Sequence, residues 1–180
     1  MLLGKRILVV IPARGGSKGI PRKNVALVAG KPLIRYTTEL LAEMQWVDKA
    51  VVSTDDEEIA NTALIGGAVS IIWRPDKLSG DRVGDMPVLA HALAEAERKE
   101  ATPFEVVVML QPTSPLRTAT NVRDCVEKMV QEDWDAVWTV SATDSSYHPQ
   151  KQVKVLEDGS IEFFIESGSS VVARQELVPA

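Results

Sequence analysis

Short apolar runs alternate with amphipathic stretches along this chain, and that alternation leaves few folds open. "RILVVIP" (Arg6–Pro12), "KAVVST" (Lys49–Thr54), "AVSIIWRP" (68–75), "FEVVVMLQP" (104–112) and "DAVWTVS" (135–141) read as strands. Between them lie helical patterns. "KPLIRYTTELLAEMQW" (Lys31–Trp46) places Leu33, Leu40, Leu41 and Met44 on one side, with Pro32 in its first turn. "DDEEIANTALIGG" begins with Asp55 as a natural N-cap, Glu58 three residues on, and Gly66 as a stop. "DMPVLAHALAEAERKE" turns Leu89, Leu93 and Ala96 inward, and "NVRDCVEKMVQED" forms the last helix. Strands apolar on both faces need cover on both faces. The expected fold is therefore α/β and Rossmann-like, a mostly parallel sheet with helices on both sides. The most apolar run, "FEVVVMLQP", is expected at its centre.

From Ala142 the pattern changes. "KQVKVLEDGSIEFFIE" alternates on either side of Asp158-Gly159, the signature of a β-hairpin. Its exposed apolar positions suit an arm that packs on something else; the competing reading is a hairpin at the edge of its own domain. The organisation expected is an α/β domain over 1–141, an arm over 142–170 and a further segment over 171–180.

Charge narrows the partners. The net charge is −5, which argues against a duplex-binding protein. Yet Lys5–Lys31 holds seven basic residues and no acidic one, a local patch suited to a small anion. Cys125 is the sole cysteine, so no intrachain disulfide forms and a reducing compartment is the simple reading. Val122 and Met129 share its helix face, which favours a packing role. No signal-peptide pattern opens the sequence and no apolar run is long enough to span a bilayer. The expected location is the cytoplasm, with neither nucleic acid nor membrane as partner.

The loop after the first strand, "IPARGGSKGIPRKN" (Ile11–Asn24), carries the chemistry. In an open α/β sheet, ligands sit beyond the carboxyl ends of the strands. Gly15 and Gly16 allow positive φ and close approach of backbone N–H groups to an anion. Arg14, Lys18, Arg22 and Lys23 add charge, and Ser17 adds a hydroxyl. The spacing is neither a Walker A loop nor a dinucleotide fingerprint. Phosphate binding is favoured over a solvated basic loop.

These residues carry a resemblance. "IPARGGSKGIPRKN" and "LQPTSPLR" (Leu110–Arg117) are similar to the two signatures of the acylneuraminate cytidylyltransferases, and "VSTDDEEIA" and "RPDKLSGD" fit further family segments in order. The resemblance implies a fold of the nucleotide-diphospho-sugar transferase type. It implies transfer of CMP from CTP to the anomeric hydroxyl of a sialic-acid-like 2-keto sugar acid, with release of pyrophosphate. The alternatives are a non-catalytic nucleotide- or sugar-binding module, or a nucleotidyltransferase using another nucleotide or sugar.

By resemblance Lys23 and Arg14 are the catalytic candidates. Ala13, Arg14, Gly15, Ser17, Lys18, Lys23, Asn24, Arg74 and Asp85 would bind CTP, and Gln111 and Arg117 would face the sugar acid. Arg74 has a rival reading as a surface arginine paired with Asp76. Asp85 stands where the family often has small hydroxyl residues, and it has a rival reading as a helix cap. His91 reads as structural, while His148-Pro149 resembles an arm motif of the family. The family uses Mg2+, but no metal site is read from Asp55, Asp56 or Asp135. The acidic pair of the family pattern would fall beyond Ala180, in a continuation of the segment that Arg174 and Gln175 open. A homodimer through the arm is also implied.

Overall fold

A computed structural model describes residues 1–17, 19–98, 100–140, 149 and 152–165. Contacts divide the chain into two units, Met1–Val137 and Trp138–Ala180.

The first unit is built on a parallel sheet. Its strands are β1 (Ile7–Pro12), β4 (Lys49–Thr54), β5 (Ser70–Trp73) and β6 (Val106–Met109), in the order β5-β4-β1-β6. Between β1 and β4, the two-residue strands β2 (Leu27–Val28) and β3 (Lys31–Pro32) form a small antiparallel pair. The helices are α1 (Leu33–Leu40), α2 (Glu57–Gly66), α3 (Asp85–Glu97) and α4 (Ala119–Gln131).

Alternation along β1 explains the layers. Val9 and Ile11 pack with Ile34, Ile59, Ala63 and Val122 from α1, α2 and α4. Leu8 and Val10 face the other way, against Ala92 and Ala96 of α3. Ile7 through Ile11 are all fully buried, and β1 lies inside the sheet between β4 and β6. The α/β fold with helices on both faces is as expected.

Some local expectations are corrected. "FEVVVMLQP" is not central: among the described residues β6 is an edge strand. Its apolarity covers two layers, Val108 meeting one core cluster and Val107 the other. "DAVWTVS" forms no strand over its described residues 135–140, and Trp138 and Val140 are exposed there. The first helix ends at Leu40 and tightens into a 3-10 turn over Leu41–Glu43. Asp55 does not cap α2; Asp56 does, accepting from the Ile59 amide at 3.0 Å.

In the second unit, β7 (Val153–Val155) pairs antiparallel with β8 (Ile161–Phe163), with Gly159 at φ +83° in the turn, as the Asp-Gly signal predicts. His148, Arg174, Gln175 and most of 142–151 lie outside the described residues. Among the described residues no helix is long and apolar enough to cross a membrane.

Candidate active site

The chain runs β1 to β4 to β5 in one direction and then returns to place β6 on the far side of β1. The carboxyl ends of β1 and β6 thus flank a topological switch point, the usual place for a ligand in such sheets. A cleft of about 650 Å³ opens there. The turn after β1 supplies Arg14, Ser17, Lys23 and Asn24 to it, the end of β5 supplies Arg74, the first turn of α3 supplies Asp85 and the turn after β6 supplies Gln111.

The turn after β1 is tied down from within. Asn24, 4% exposed, donates from Nδ2 to the Arg14 carbonyl at 3.0 Å and closes its neck. The Gly15 amide donates to Asp55 Oδ1 at 2.8 Å, and the Ser17 amide to the Gly15 carbonyl at 2.9 Å. Those two amides are therefore occupied rather than offered as an anion nest. Neither Gly15 nor Gly16 adopts positive φ; Arg22 does, at 50°. Glycine is needed at 15 for space, since a Cβ there would lie 2.7 Å from Asp56 Oδ2.

The cations divide by partner. Arg22 does not line the cleft; it pairs with Asp56 at 3.1 Å and with Glu58. Arg14 lines it but reaches Asp81 at 2.6 Å. Lys23 lines the cleft with no ion-pair partner among the described residues. Lys18 lies outside the described residues. Ala13 is buried behind the cleft, its amide bonded to the Ser53 carbonyl.

Arg74 is 7% exposed and is not a surface partner of Asp76. Its Nη2 donates to the Ser53 carbonyl at 2.7 Å and its Nε to Ser53 Oγ at 3.2 Å. Burial pushes its pKa down, opposed by the nearby carboxylates of Asp55 and Asp85. Asp85 opens α3 without capping it, and accepts from Gln111 Nε2 at 3.3 Å. Arg117 does not line the cleft; half-buried, it donates to the Gln111 carbonyl at 3.4 Å and braces the turn. Burial lowers its pKa as well.

Among the described residues, no group of three or more His, Cys, Asp or Glu side chains is arranged to hold a metal ion. The carboxylates nearest the cleft are engaged: Asp55 by Gly15, Asp56 by Ile59 and Arg22, Asp81 by Arg14, Asp85 by Gln111. The described residues do not by themselves fit a Mg2+ site. Sequence reading missed Ser53, Asp55 and Thr113 as parts of the site. Only tertiary contact brings the first two under the loop, and Thr113 reads as a turn residue.

This sheet order with a cleft at the switch point defines a doubly wound α/β protein, and its likeness to solved structures places it in the nucleotide-diphospho-sugar transferase fold. A solved structure sharing the fold is CMP:2-keto-3-deoxy-manno-octonic acid synthetase complexed with CTP (TM-score 0.60, 21% identity, 84% of this chain and 59% of that one). Another is 4-diphosphocytidyl-2C-methyl-D-erythritol synthase from Anaerococcus prevotii (TM-score 0.52, 16% identity, 98% and 70%).

The chain belongs to the cytidylyltransferase family, whose model matches residues 8–177. It is 33% identical over 173 residues to an N-acylneuraminate cytidylyltransferase of Escherichia coli, covering 96% of this chain and 39% of that protein. It is 35% identical over 159 residues to a pseudaminic acid cytidylyltransferase of Campylobacter jejuni, covering 88% and 67%. It is 41% identical over 123 residues to a CMP-N,N'-diacetyllegionaminic acid synthase of Legionella pneumophila, covering 68% and 52%. The chain thus spans from 39% to 67% of the length of these relatives.

Proposed function

We propose that this chain carries the nucleotide-binding core of an enzyme that transfers CMP from CTP to the anomeric hydroxyl of a sialic-acid-like 2-keto sugar acid. The anomeric oxygen attacks the α-phosphorus, the bond from that phosphorus to the bridging oxygen breaks, pyrophosphate departs and the hydroxyl proton is released. Such chemistry needs charge neutralisation and in-line placement more than a covalent protein group.

One observation carries the reading. The cleft gathers Arg14, Lys23, Asn24, Arg74, Asp85 and Gln111 from separate segments of the sequence at the switch point of the sheet. Lys23 and Arg14 neutralise the triphosphate, with Lys23 at the α-phosphate, and Ser17 and Lys18 join them. Asn24, Arg74 and Asp85 take the nucleoside. Gln111 takes the sugar acid, and Arg117 acts by holding the Gln111 turn. Mg2+, as the resemblance implies, would come bound to CTP and would share in neutralising its phosphates. The assembly is a homodimer through the hairpin arm, in the cytoplasm.

A pyrophosphate-release assay with each nucleoside triphosphate and a panel of nine-carbon 2-keto sugar acids tests this. Release with CTP and one of these acids is expected. Binding of CTP without turnover supports the module reading for this polypeptide. Preference for another nucleotide overturns the cytidylyl assignment.

A further inference from the structure

Ser53 to Asp56, at the end of β4 and just after it, do not line the cleft, yet they hold both of its halves. The Ser53 carbonyl accepts the Ala13 amide at 3.0 Å and Arg74 Nη2 at 2.7 Å. The Thr54 carbonyl accepts the Arg74 amide at 2.8 Å. Asp55 takes the Gly15 amide at 2.8 Å, and Asp56 takes Arg22 at 3.1 Å, beside Lys23. A Cβ on Gly15 would lie 2.7 Å from Asp56 Oδ2 and 3.0 Å from its Cβ, so a side chain there would push Asp56 aside.

We propose that Asp55 is a positioning residue for the nucleotide: through the Gly15 amide it fixes the turn after β1, and its charge acts across the end of β4 on Arg74, tying the triphosphate end of the cleft to the base end. The proposal deepens the reading above and rests on it. A hydrogen bond from an amide to a carboxylate is roughly twice as strong as one between neutral groups. Here it keeps the Gly15 amide turned away from the cleft, so that Arg14 and Lys23 meet the anion with their side chains. The same charge, with that of Asp85, offsets the burial of the Arg74 guanidinium, which lies 7% exposed on its two Ser53 acceptors. A neutral residue at 55 could do the first task but not the second.

Calorimetric titration of the full chain with CTP and with inorganic tripolyphosphate separates the two tasks. Asp55→Ala is expected to weaken both ligands by about tenfold or more. Asp55→Asn retains an acceptor for the Gly15 amide. It is expected to bring tripolyphosphate binding back to within about threefold of the parent chain, while CTP stays weaker because one of the two carboxylate charges that act on Arg74 is gone. Unchanged binding in Asp55→Ala overturns the proposal. So does an equal loss of both ligands in the two variants that tracks a fall in Tm. If Asp55→Ala fails to fold, Asp55→Asn decides alone: selective loss of CTP supports the proposal, and parallel loss or no loss overturns it. Failure of the parent chain to bind either ligand sinks the nucleotide-binding reading itself, and the proposal with it, before any variant is compared.

Discussion

Arg14 Nη1 lies 2.6 Å from Asp81 Oδ1, an ion pair that joins the turn after β1 to the turn before α3 across the cleft. The two side chains are 30% and 36% exposed, so the pair is worth only ~0.2–1 kcal/mol. An incoming triphosphate must replace Asp81 as the counter-anion of Arg14. Asp81→Asn removes that competitor, and the Kd for CTP is expected to fall roughly two- to fivefold at low salt. The gain should vanish at high salt, where the pair is screened. Titrations at two ionic strengths check this. A Kd that rises in the variant would mean that Asp81 shapes the turn for the nucleotide instead of competing with it.

Lys23 offers the cleft a charge that no described carboxylate neutralises. Its contact with phosphate is charge-assisted, so Lys23→Ala should cost about 1.5–3 kcal/mol in CTP binding or in turnover. That corresponds to roughly ten- to a hundredfold. Arg22, one residue earlier, serves as a strut to Asp56 and Glu58, and half of its side chain is exposed. Arg22→Ala should cost only ~0.2–1 kcal/mol by the same measurement. Equal losses in the two variants would show that the loop acts as a diffuse positive patch with no specific role for Lys23.

Much of this was legible in the sequence because the signals were local. The burial of β1 follows from an unbroken apolar run, and the hairpin from Asp158-Gly159. Strand order was less legible: apolarity marks cover on both faces, which the edge strand β6 shares with the central β1. The site was half readable. Arg14, Lys23, Asn24 and Gln111 stand in turns that leave strands, and they do line the cleft. Asp55 read as a helix cap because Glu58 stands three residues on and a helical pattern follows. Its neighbour Asp56 fills that role, and Asp55 is released to a partner forty residues upstream. No local pattern encodes such a contact.

Asp56 makes the pH dependence of this corner predictable. Burial alone would raise its pKa, but the Ile59 amide and the Arg22 guanidinium outweigh burial and hold it below the usual carboxylate value. A carboxylate depressed by folding stabilises the native state above its unfolded pKa of ~3.9, and that stabilisation is lost as pH falls through the folded value. Asp56→Ala should therefore cost about 1–2 kcal/mol near neutral pH, most of it the lost helix cap. The gap between parent and variant should narrow steadily once the pH drops below the ordinary carboxylate range. Urea unfolding of both proteins across an acid series tests the sign. A gap that stays constant into strong acid would show that the ionised form contributes nothing.

The hairpin arm supplies the last expectation. On β7 and β8 of the second unit, Val155 lies directly across from Ile161, and the two are 70% and 67% exposed. Phe163, Phe164 and Ile165 extend the same exposed apolar character. An isolated two-stranded hairpin is marginal in water. Such a surface is stabilised when it is covered, and apolar burial contributes about 25 cal/mol per Å². In the dimer proposed above, a second copy provides that cover. Replacing Val155 and Ile161 together by lysine puts like charges opposite each other and on the buried surface, which opposes both the hairpin and its cover. Light scattering at micromolar concentration should report a dimer for the parent chain and a monomer for the double variant, with the far-ultraviolet signal of the parallel-sheet unit retained. A parent chain that scatters as a monomer under those conditions would remove the arm from the assembly.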